Sequence, residues 1–365
     1  MVSLENQDRI PVKKEKVFIV ILNWKGWENT IECLESLFRN TYLAWQVIVC
    51  DNDSQDGSLE KIMAWAKGEL SVFPPRHPPL KQYVVPPVEK PILYRVLSFS
   101  SSSPAQSIAD EPLLLIQNDQ NLGFAGGNNV ALRYLLTRLD WAYVWLLNND
   151  TVIHPEALSA LVGKIETNLK YGLCGSTVLY YHAPETIQAR GGNHYWPWIG
   201  RTRHVAFMEP YIKRCLESEI EKQLNCVLGA SMLVRRTFIQ EIGLMDEKYF
   251  LYFEELDWAI RAKGRYQLGY ASHSLVYHKE GASIGGGNRN RKEKSELADY
   301  FEIRNRILIT RTFFPYAIPL VSLGLVVTLV NRVRRKQFKR LWLVLKAWWN
   351  GIRMKVVTPL TPPKI

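Results

Sequence analysis

The sequence predicts an α/β fold, a sheet covered by helices, and three observations carry that prediction. Short apolar, β-branched runs alternate along the chain with segments of helical spacing, the pattern of a parallel sheet with covering helices. Several of those runs end in Asn, Asp or Gly clusters, and an open α/β sheet binds its ligands beyond such strand ends. The charge is also split. Residues 285–365 carry 17 Lys/Arg and 4 Asp/Glu, so the remainder of this chain of net charge +11 is close to neutral.

Residues 17–22 read as a buried parallel strand, closed by Asn23-Trp24-Lys25-Gly26. Residues 30–38 have helical spacing, with Ile31, Leu34, Leu37 and Phe38 on one face. Residues 46–50 form the next strand and end at Asp51-Asn52-Asp53-Ser54. A helix over 58–67 follows, with Ser58 as its expected N-cap. Residues 71–111 break the rhythm with three Pro-Pro pairs, at 74–75, 78–79 and 86–87, and a serine run, and read as a mobile insertion between two strands. Strand 113–117 resumes the sheet. The glycine-rich loop 121–129 leads into a helix reaching about residue 139, and strand 143–147 comes next. Pro155 opens another helix. Residues 171–235 read as loops and short strands. Helices are then expected over 236–242 and 255–263, stopped by Gly243 and Gly264.

Two domains are expected, a catalytic body over 1–284 and a basic helical tail over 285–365. Five scattered cysteines without a CxxC pair read as reduced and mostly buried. Residues 312–331 lack any charge and approach the ~20 residues that a bilayer span needs. A cluster of Arg and Lys follows at once, then Trp342, Trp348 and Trp349. Apolar run, basic flank and tryptophans together point to an anionic membrane surface rather than to nucleic acid. Pro315 and Pro319 interrupt the run, which favours lying on the membrane over spanning it. Residues 1–16 are polar and charged, unlike a signal peptide, so a cytoplasmic location at the inner face of the cytoplasmic membrane is expected.

The candidate chemistry lies at strand ends. Asp150, preceded by Asn148 and Asn149, closes an apolar strand with oxygen ligands that suit Mg²⁺ or Mn²⁺ carrying a diphosphate. His278 ends the strand 275–277 and is a candidate partner ligand. Asn23, Asp51 and Asn52 stand at the first two strand ends, where a carboxylate can accept from a nucleobase N–H. Asn121, Gly123, Gly126, Gly127 and Asn129 precede a helix, and backbone N–H groups there can approach a phosphate. The loop is neither GxGxxG nor a Walker motif, so dinucleotide and ATP binding are not indicated. Glu254, Glu255 and Asp257 crowd one predicted helix start, where neighbouring carboxylates raise one another's pKa toward that of a general base. Glu254 and Asp257 share a face and Glu255 points elsewhere. Together these features indicate an enzyme acting on a nucleotide-sugar. A sugar-nucleotide nucleotidyltransferase would need a basic glycine-rich loop near the first strand, and a non-catalytic scaffold would need no base.

The blocks VFIVILNWKGWENTIECLESL, VIVCDNDSQDGS, NLGFAGGNN, WLLNNDT, GASMLVRR, GLMDEKYFLYFEELDWAIRAKG and VYHKEGAS occur in the order found in family 2 inverting glycosyltransferases. The chain resembles their rhamnosyltransferase-like branch over about residues 17–283, minus the insertion. The resemblance implies a GT-A fold with a single Rossmann-like mixed sheet, a nucleotide-diphosphate sugar donor, a divalent metal (Mn²⁺ or Mg²⁺), and a glycan or lipid-linked acceptor. By position, Asp150 matches the last residue of the family's metal motif, here Asn148-Asn149-Asp150. Asp51 matches the donor-base contact, with Asn149 among the donor-side residues, and His278 matches a histidine that can complete the metal site. Glu255 matches the second acidic position of the Glu-Asp pair where the base is expected, with Glu in place of Asp.

Overall fold

The computed structural model describes residues 14–71, 77–97, 109–212, 215–280 and 295–354. Strand β1 (Val17–Asn23) leads through helix α1 (Trp27–Leu37) to β2 (Trp45–Asp51) and α2 (Ser58–Lys67). Next come β3 (Tyr94–Leu97), β4 (Leu113–Gln117), α3 (Gly123–Leu136), β5 (Tyr143–Asn148), β6 (Thr151–Ile153) and α4 (Ala157–Glu166). A long hairpin, β7 (Tyr171–Tyr180) and β8 (Ala183–Arg190), precedes β9 (Gly192–Trp196), β10 (Arg201–His204), α5 (Glu217–Glu221) and β11 (Cys226–Val227). The body closes with β12 (Ser231–Arg235), α6 (Arg236–Ile242), α7 (Glu254–Ala262) and β13 (Gln267–His278).

One ten-stranded sheet runs β3-β4-β2-β1-β5-β12-β7-β13-β6, with β8 on β7, and a smaller sheet runs β10-β9-β11. The strands β3, β4, β2, β1 and β5 are parallel, and β12 enters antiparallel between β5 and β7. Strand period two divides the core. Val17, Ile19 and Ile21 pack with Ile31, Leu34, Leu37 and Trp65 on one face. Phe18 and Val20 pack with Leu132, Leu135, Phe238 and Trp258 on the other. Helices α3, α6 and α7 therefore share a face, which brings the start of α7 to the start of α3.

Several expectations need correction. Gly57, with φ 75°, is the N-cap of α2, while the Asp56 carboxylate accepts from the Ser58 N–H at 3.0 Å. Helix α3 starts at Gly123, inside the expected glycine-rich loop. Residues 171–190 form two long strands rather than loops and short ones, and α7 begins one residue earlier than expected. The serine run 98–103 lies outside the described residues. Residues 72–76 and 104–108 also lie outside them, and the described part of the insertion is built into the body: β3 pairs parallel with β4, and Leu80 and Val84 are buried against Val152 and Tyr277. A bare edge strand invites pairing, and β3 satisfies that edge.

The described tail is helical. Helix α8 (Glu296–Phe313) lies against the body, and α9 (Ile318–Arg334) and α10 (Phe338–Arg353) fold back onto it. Buried Asp299 accepts from Arg332 at 2.5 Å and from Arg340 at 2.7 Å, fastening both helices. Gly351 permits the close approach, since a Cβ there would stand 2.7 Å from the Arg304 carbonyl oxygen. Segment Pro315–Arg334 is long and apolar enough to cross a membrane by length and composition. Leu323, Val326, Val327 and Val330 on it are exposed, as are Trp342 on α10 and Trp198 on the β9–β10 turn.

Gly123 has φ 70°, and a Cβ there would lie 2.3 Å from the Phe250 carbonyl oxygen. Gly123→Ala should therefore cost about 2 kcal/mol or more from left-handed strain and overpacking together, read as a lower urea midpoint; an unchanged midpoint would refute the close contact.

Candidate active site

The polar residues at the strand ends are tied to one another. Asn23, fully buried, donates through Nδ2 to Asp51 Oδ1 at 2.6 Å and to Ser54 Oγ at 3.1 Å. Its Oδ1 accepts from Thr30 Oγ1 at 2.7 Å and from Asn149 Nδ2 at 3.4 Å. Asp51 Oδ2 accepts from the Ser54 N–H and from Gln117 Nε2, each at 3.0 Å. Asn52 donates to Asn121 Oδ1 and the Gly123 carbonyl, and accepts from Asn118 and the Leu122 N–H. Asn149 also reaches Thr30 Oγ1 and the Gly26 carbonyl. Asn23, Asp51, Asn52, Asn121 and Asn149 thus form one framework at this end of the sheet.

The glycines serve packing. A Cβ on Gly126 would meet Leu122 at 2.8 Å, and one on Gly127 would meet Leu22 at 2.4 Å. The first N–H groups of α3 are engaged within the protein, Gly123 with Asn121 Oδ1 at 2.9 Å and Phe124 with the Phe250 carbonyl at 2.6 Å. Gly123, Gly126 and Gly127 thus each have close packing neighbours at the start of α3. Asn129 lies deeper, bonded to both backbone groups of Met245 and to Glu247.

Asp150 and His278 are brought together by strand register. Strand β6 pairs antiparallel with β13, His278 opposite Thr151, and the Lys279 N–H donates to the Asp150 carbonyl at 3.0 Å. Asp150 Oδ1 lies 3.1 Å from His278 Nε2, and both residues are buried. On the other side of the ring, Nδ1 lies 2.9 Å from Gln188 Oε1 on β8. Burial works to lower the His278 pKa, but the Asp150 charge and hydrogen bond outweigh it and raise the pKa. Gln188 orients the ring so that Nε2 and a carboxylate oxygen converge, which fits a divalent cation with an oxygen and an imidazole ligand. Among the described residues no group of three His, Cys, Asp or Glu side chains converges in this way.

The three carboxylates of α7 have different surroundings. Asp257 is buried, paired with Arg261 Nε at 2.6 Å and accepting from Tyr249 Oη at 3.3 Å. That engagement gives it a structural task between α7 and Tyr249. Glu254 is buried, and its Oε2 has no hydrogen-bond partner among the described residues. Burial, and then the neighbouring Glu255 charge, push its pKa well up. Glu255 is only half-buried. Burial raises its pKa too, opposed by its own backbone N–H and then by that of Gly229. Gly229 has no side chain for this reason: a Cβ would stand 2.3 Å from Glu255 Oε1.

Gly229 also connects the two halves of the site. The next residue, Ala230, accepts through its carbonyl from the Asn148 N–H at 3.0 Å, two residues before Asp150. Glu255 and Asp150 thus flank one strand end. Phe250, Tyr252 and Phe253, just before Glu254, have φ of 62°, 70° and 74°. Backbone strain in non-glycine residues is concentrated where function requires a set geometry. Gln188, Gly229, Gln117 and Thr30 were missed from the sequence. Ser54 and Gly229 lie inside recognisable motif blocks, whereas Gln188 carries no local signal.

The family model described as Glycosyl transferase family 2 matches residues 17–78 and 100–242. The chain is 24% identical over 226 residues to the low-salt glycan biosynthesis hexosyltransferase Agl10 of Haloferax volcanii, covering 60% of this chain and 67% of that protein. Among solved structures, it resembles the mannosyltransferase PcManGT from Pyrobaculum calidifontis in complex with GDP-Man and Mn²⁺. That match has a TM-score of 0.50 and 12% identity, covering 95% of this chain and 89% of that one. It also resembles GalNAc-T7 with UDP, GalNAc and Mn²⁺, at a TM-score of 0.52 and 12% identity, covering 84% of this chain but only 49% of that one. The fold is thus that of GT-A glycosyltransferases, as expected.

Glu254 has a folded pKa above its ordinary value, so the stability it contributes as a neutral acid is complete below the ordinary carboxylate range. That contribution is lost as pH rises through the folded pKa. Glu254→Gln should therefore gain stability over the wild type as pH goes from 5 to 9, measured as the gap between urea midpoints. A gap that stays constant, or shrinks, would show that Glu254 is ionised throughout.

Proposed function

We propose a specific reaction for this chain, which belongs to glycosyl transferase family 2: inverting transfer of a sugar from a nucleotide-diphosphate donor to a hydroxyl of a glycan or lipid-linked acceptor. Rhamnose is the sugar that the motif resemblance favours, and synthesis of a cell-surface polysaccharide is the setting. The observation that carries the reading is the placement of half-buried Glu255, through Gly229 and Ala230, beside the strand end that holds the Asp150–His278 pair.

Asp150 and His278 would hold the divalent cation, with Gln188 fixing the imidazole. The imidazole nitrogen favours Mn²⁺ over Mg²⁺, and the cation would supply charge neutralisation at the departing diphosphate. Asp51 and Gln117 lie at the strand ends where the nucleobase would sit. Glu255 takes the proton of the acceptor hydroxyl, at a pKa raised toward working pH by its surroundings. The acceptor oxygen attacks the anomeric carbon on the face opposite the diphosphate. The bond from that carbon to the diphosphate oxygen breaks, which inverts configuration.

On this reading the tail also brings the site to a membrane surface. Helices α9 and α10 expose Leu323, Val326, Val327, Val330 and Trp342, Trp198 packs on Tyr316 at a ring separation of 4.7 Å, and Arg334, Arg335, Lys336 and Lys339 lie at the junction of the two helices in sequence. Apolar area flanked by cations suits the interface of an anionic bilayer. The catalytic body then lies on the cytoplasmic side.

Two measurements test this reading. Thermal shift with dTDP, UDP, GDP and CMP, with and without Mn²⁺, should show one nucleotide stabilising the wild type only with metal, and Asp150→Ala losing that stabilisation. Equal shifts for both proteins would remove Asp150 from the site. Sedimentation with vesicles containing phosphatidylglycerol should retain the wild type, whereas Trp198→Glu combined with Trp342→Glu should reduce retention about tenfold, since each aromatic buries a large apolar surface. Undiminished retention would displace the membrane surface from these residues.

A further inference from the structure

We propose that Asn305 and Arg304, on the first tail helix, are positioning residues that hold the catalytic base through the backbone of residues 248–252. The inference rests on the reading of Glu255 as the base.

The segment leading to Glu254 and Glu255 has an unusual backbone. Phe250, Tyr252 and Phe253 all adopt left-handed φ, a conformation that aromatic side chains rarely hold unless their surroundings impose it. Asn305 supplies that imposition. It is fully buried, and its Nδ2 lies 2.8, 2.7 and 2.9 Å from the carbonyl oxygens of Tyr249, Leu251 and Tyr252, so its two N–H groups serve three acceptors, one of them shared. Its Oδ1 accepts from Arg304 Nε at 2.8 Å, which fixes the amide orientation. The reverse orientation would set an oxygen against three carbonyl oxygens. Arg304 reaches the same stretch, donating through Nη2 to the carbonyls of Lys248 and Tyr249. The Phe301 ring stacks on Phe250 at 4.6 Å with an interplanar angle of 15°.

From the opposite side, the Phe250 carbonyl accepts from the Phe124 N–H at the start of α3, and Gly229 meets the Glu255 carboxylate. The strained turn is therefore held between the body and α8. Helix α8 is also the platform of α9 and α10, since buried Asp299 binds Arg332 and Arg340 across it. The tail is in this way part of the catalytic apparatus as well as a membrane anchor. The hydrogen bonds of the Asn305 side chain go to Arg304 and to residues 249–252, so its effect should fall on the base and leave donor binding alone.

The test uses the full chain and a donor assay that needs no known acceptor. Release of nucleoside diphosphate from dTDP-rhamnose, UDP-glucose or GDP-mannose is followed with water or azide as the nucleophile, for wild type, Asn305→Ala and Glu255→Gln. Water must lose a proton as it attacks; azide need not. Expected for Asn305→Ala is a hydrolytic kcat about 100-fold lower, in line with a displaced catalytic group. The donor KM should stay within about threefold, and azide should restore turnover, as in Glu255→Gln. Wild-type hydrolysis by Asn305→Ala, with Glu255→Gln impaired, would overturn the positioning role alone. Wild-type hydrolysis by Glu255→Gln would overturn the base itself. Equal loss with water and azide would mean general structural damage and also overturn the positioning role.

Hydrogen exchange gives a readout independent of turnover. Asn305→Ala should speed exchange over 249–256 and leave 17–23 unchanged, and unchanged protection over 249–256 would refute the clamp. If Asn305→Ala does not fold, Phe301→Leu removes the stacking on Phe250 while keeping apolar volume. The same pattern is expected for it, with at least a tenfold loss in hydrolysis, and unaltered hydrolysis and exchange would overturn the proposal.

Discussion

The side chain of Asn23 joins the parts of this protein that meet at one end of the sheet. Its amide donates to Asp51 and Ser54 and accepts from Thr30 and Asn149, so both polar atoms are used in a site with no solvent. A buried amide left unpaired is costly, and this arrangement pairs it completely. The ends of β1, β2 and β5 and the start of α1 are thereby fixed to one another. Asp150 follows Asn149 directly, so its direction is inherited from this framework.

The two halves of the site are fixed by different means. Asp150 and His278 meet because β6 and β13 are registered, with the imidazole oriented from β8. This half is built on strands, whose geometry is stiff. Glu255 stands at the start of a short helix after a turn of left-handed aromatic residues, which has little rigidity of its own. It gains its position from contacts on both sides, with Gly229 and α3 in the body and α8 in the tail. The strand-built half is stiff by itself, whereas the turn-built half depends on the body and the tail together.

Burial distinguishes three carboxylates that look alike in sequence. Asp257 faces Arg261 and is neutralised by it. Glu254 points inward without a partner for Oε2 among the described residues, and burial raises its pKa well above the ordinary range. Glu255 alone combines partial exposure with a raised pKa. A base needs both, because it must reach a substrate and still accept a proton.

Much of the fold was legible from local pattern. The runs at 17–22, 46–50, 113–117 and 143–147 are apolar and β-branched, and each became a strand within a residue or two of its expected bounds. The Asn and Asp clusters marked the strand ends, because side chains there either bind one another or bind a ligand. The motif blocks also determined the family, and they placed Asp150, His278 and Glu255 as candidates. Only the tertiary structure decided what each polar residue touches. The glycines after Asn121 proved to admit Leu22 and Phe250, since whether a glycine faces a ligand or a neighbouring chain depends on distant packing. Gln188 and Asn305 carry no local signal, for they act through contacts 90 and 53–56 residues away along the chain. Sequence pattern records which elements form and which face each side chain takes. Contacts between remote side chains arise only when register and packing have set those elements against one another.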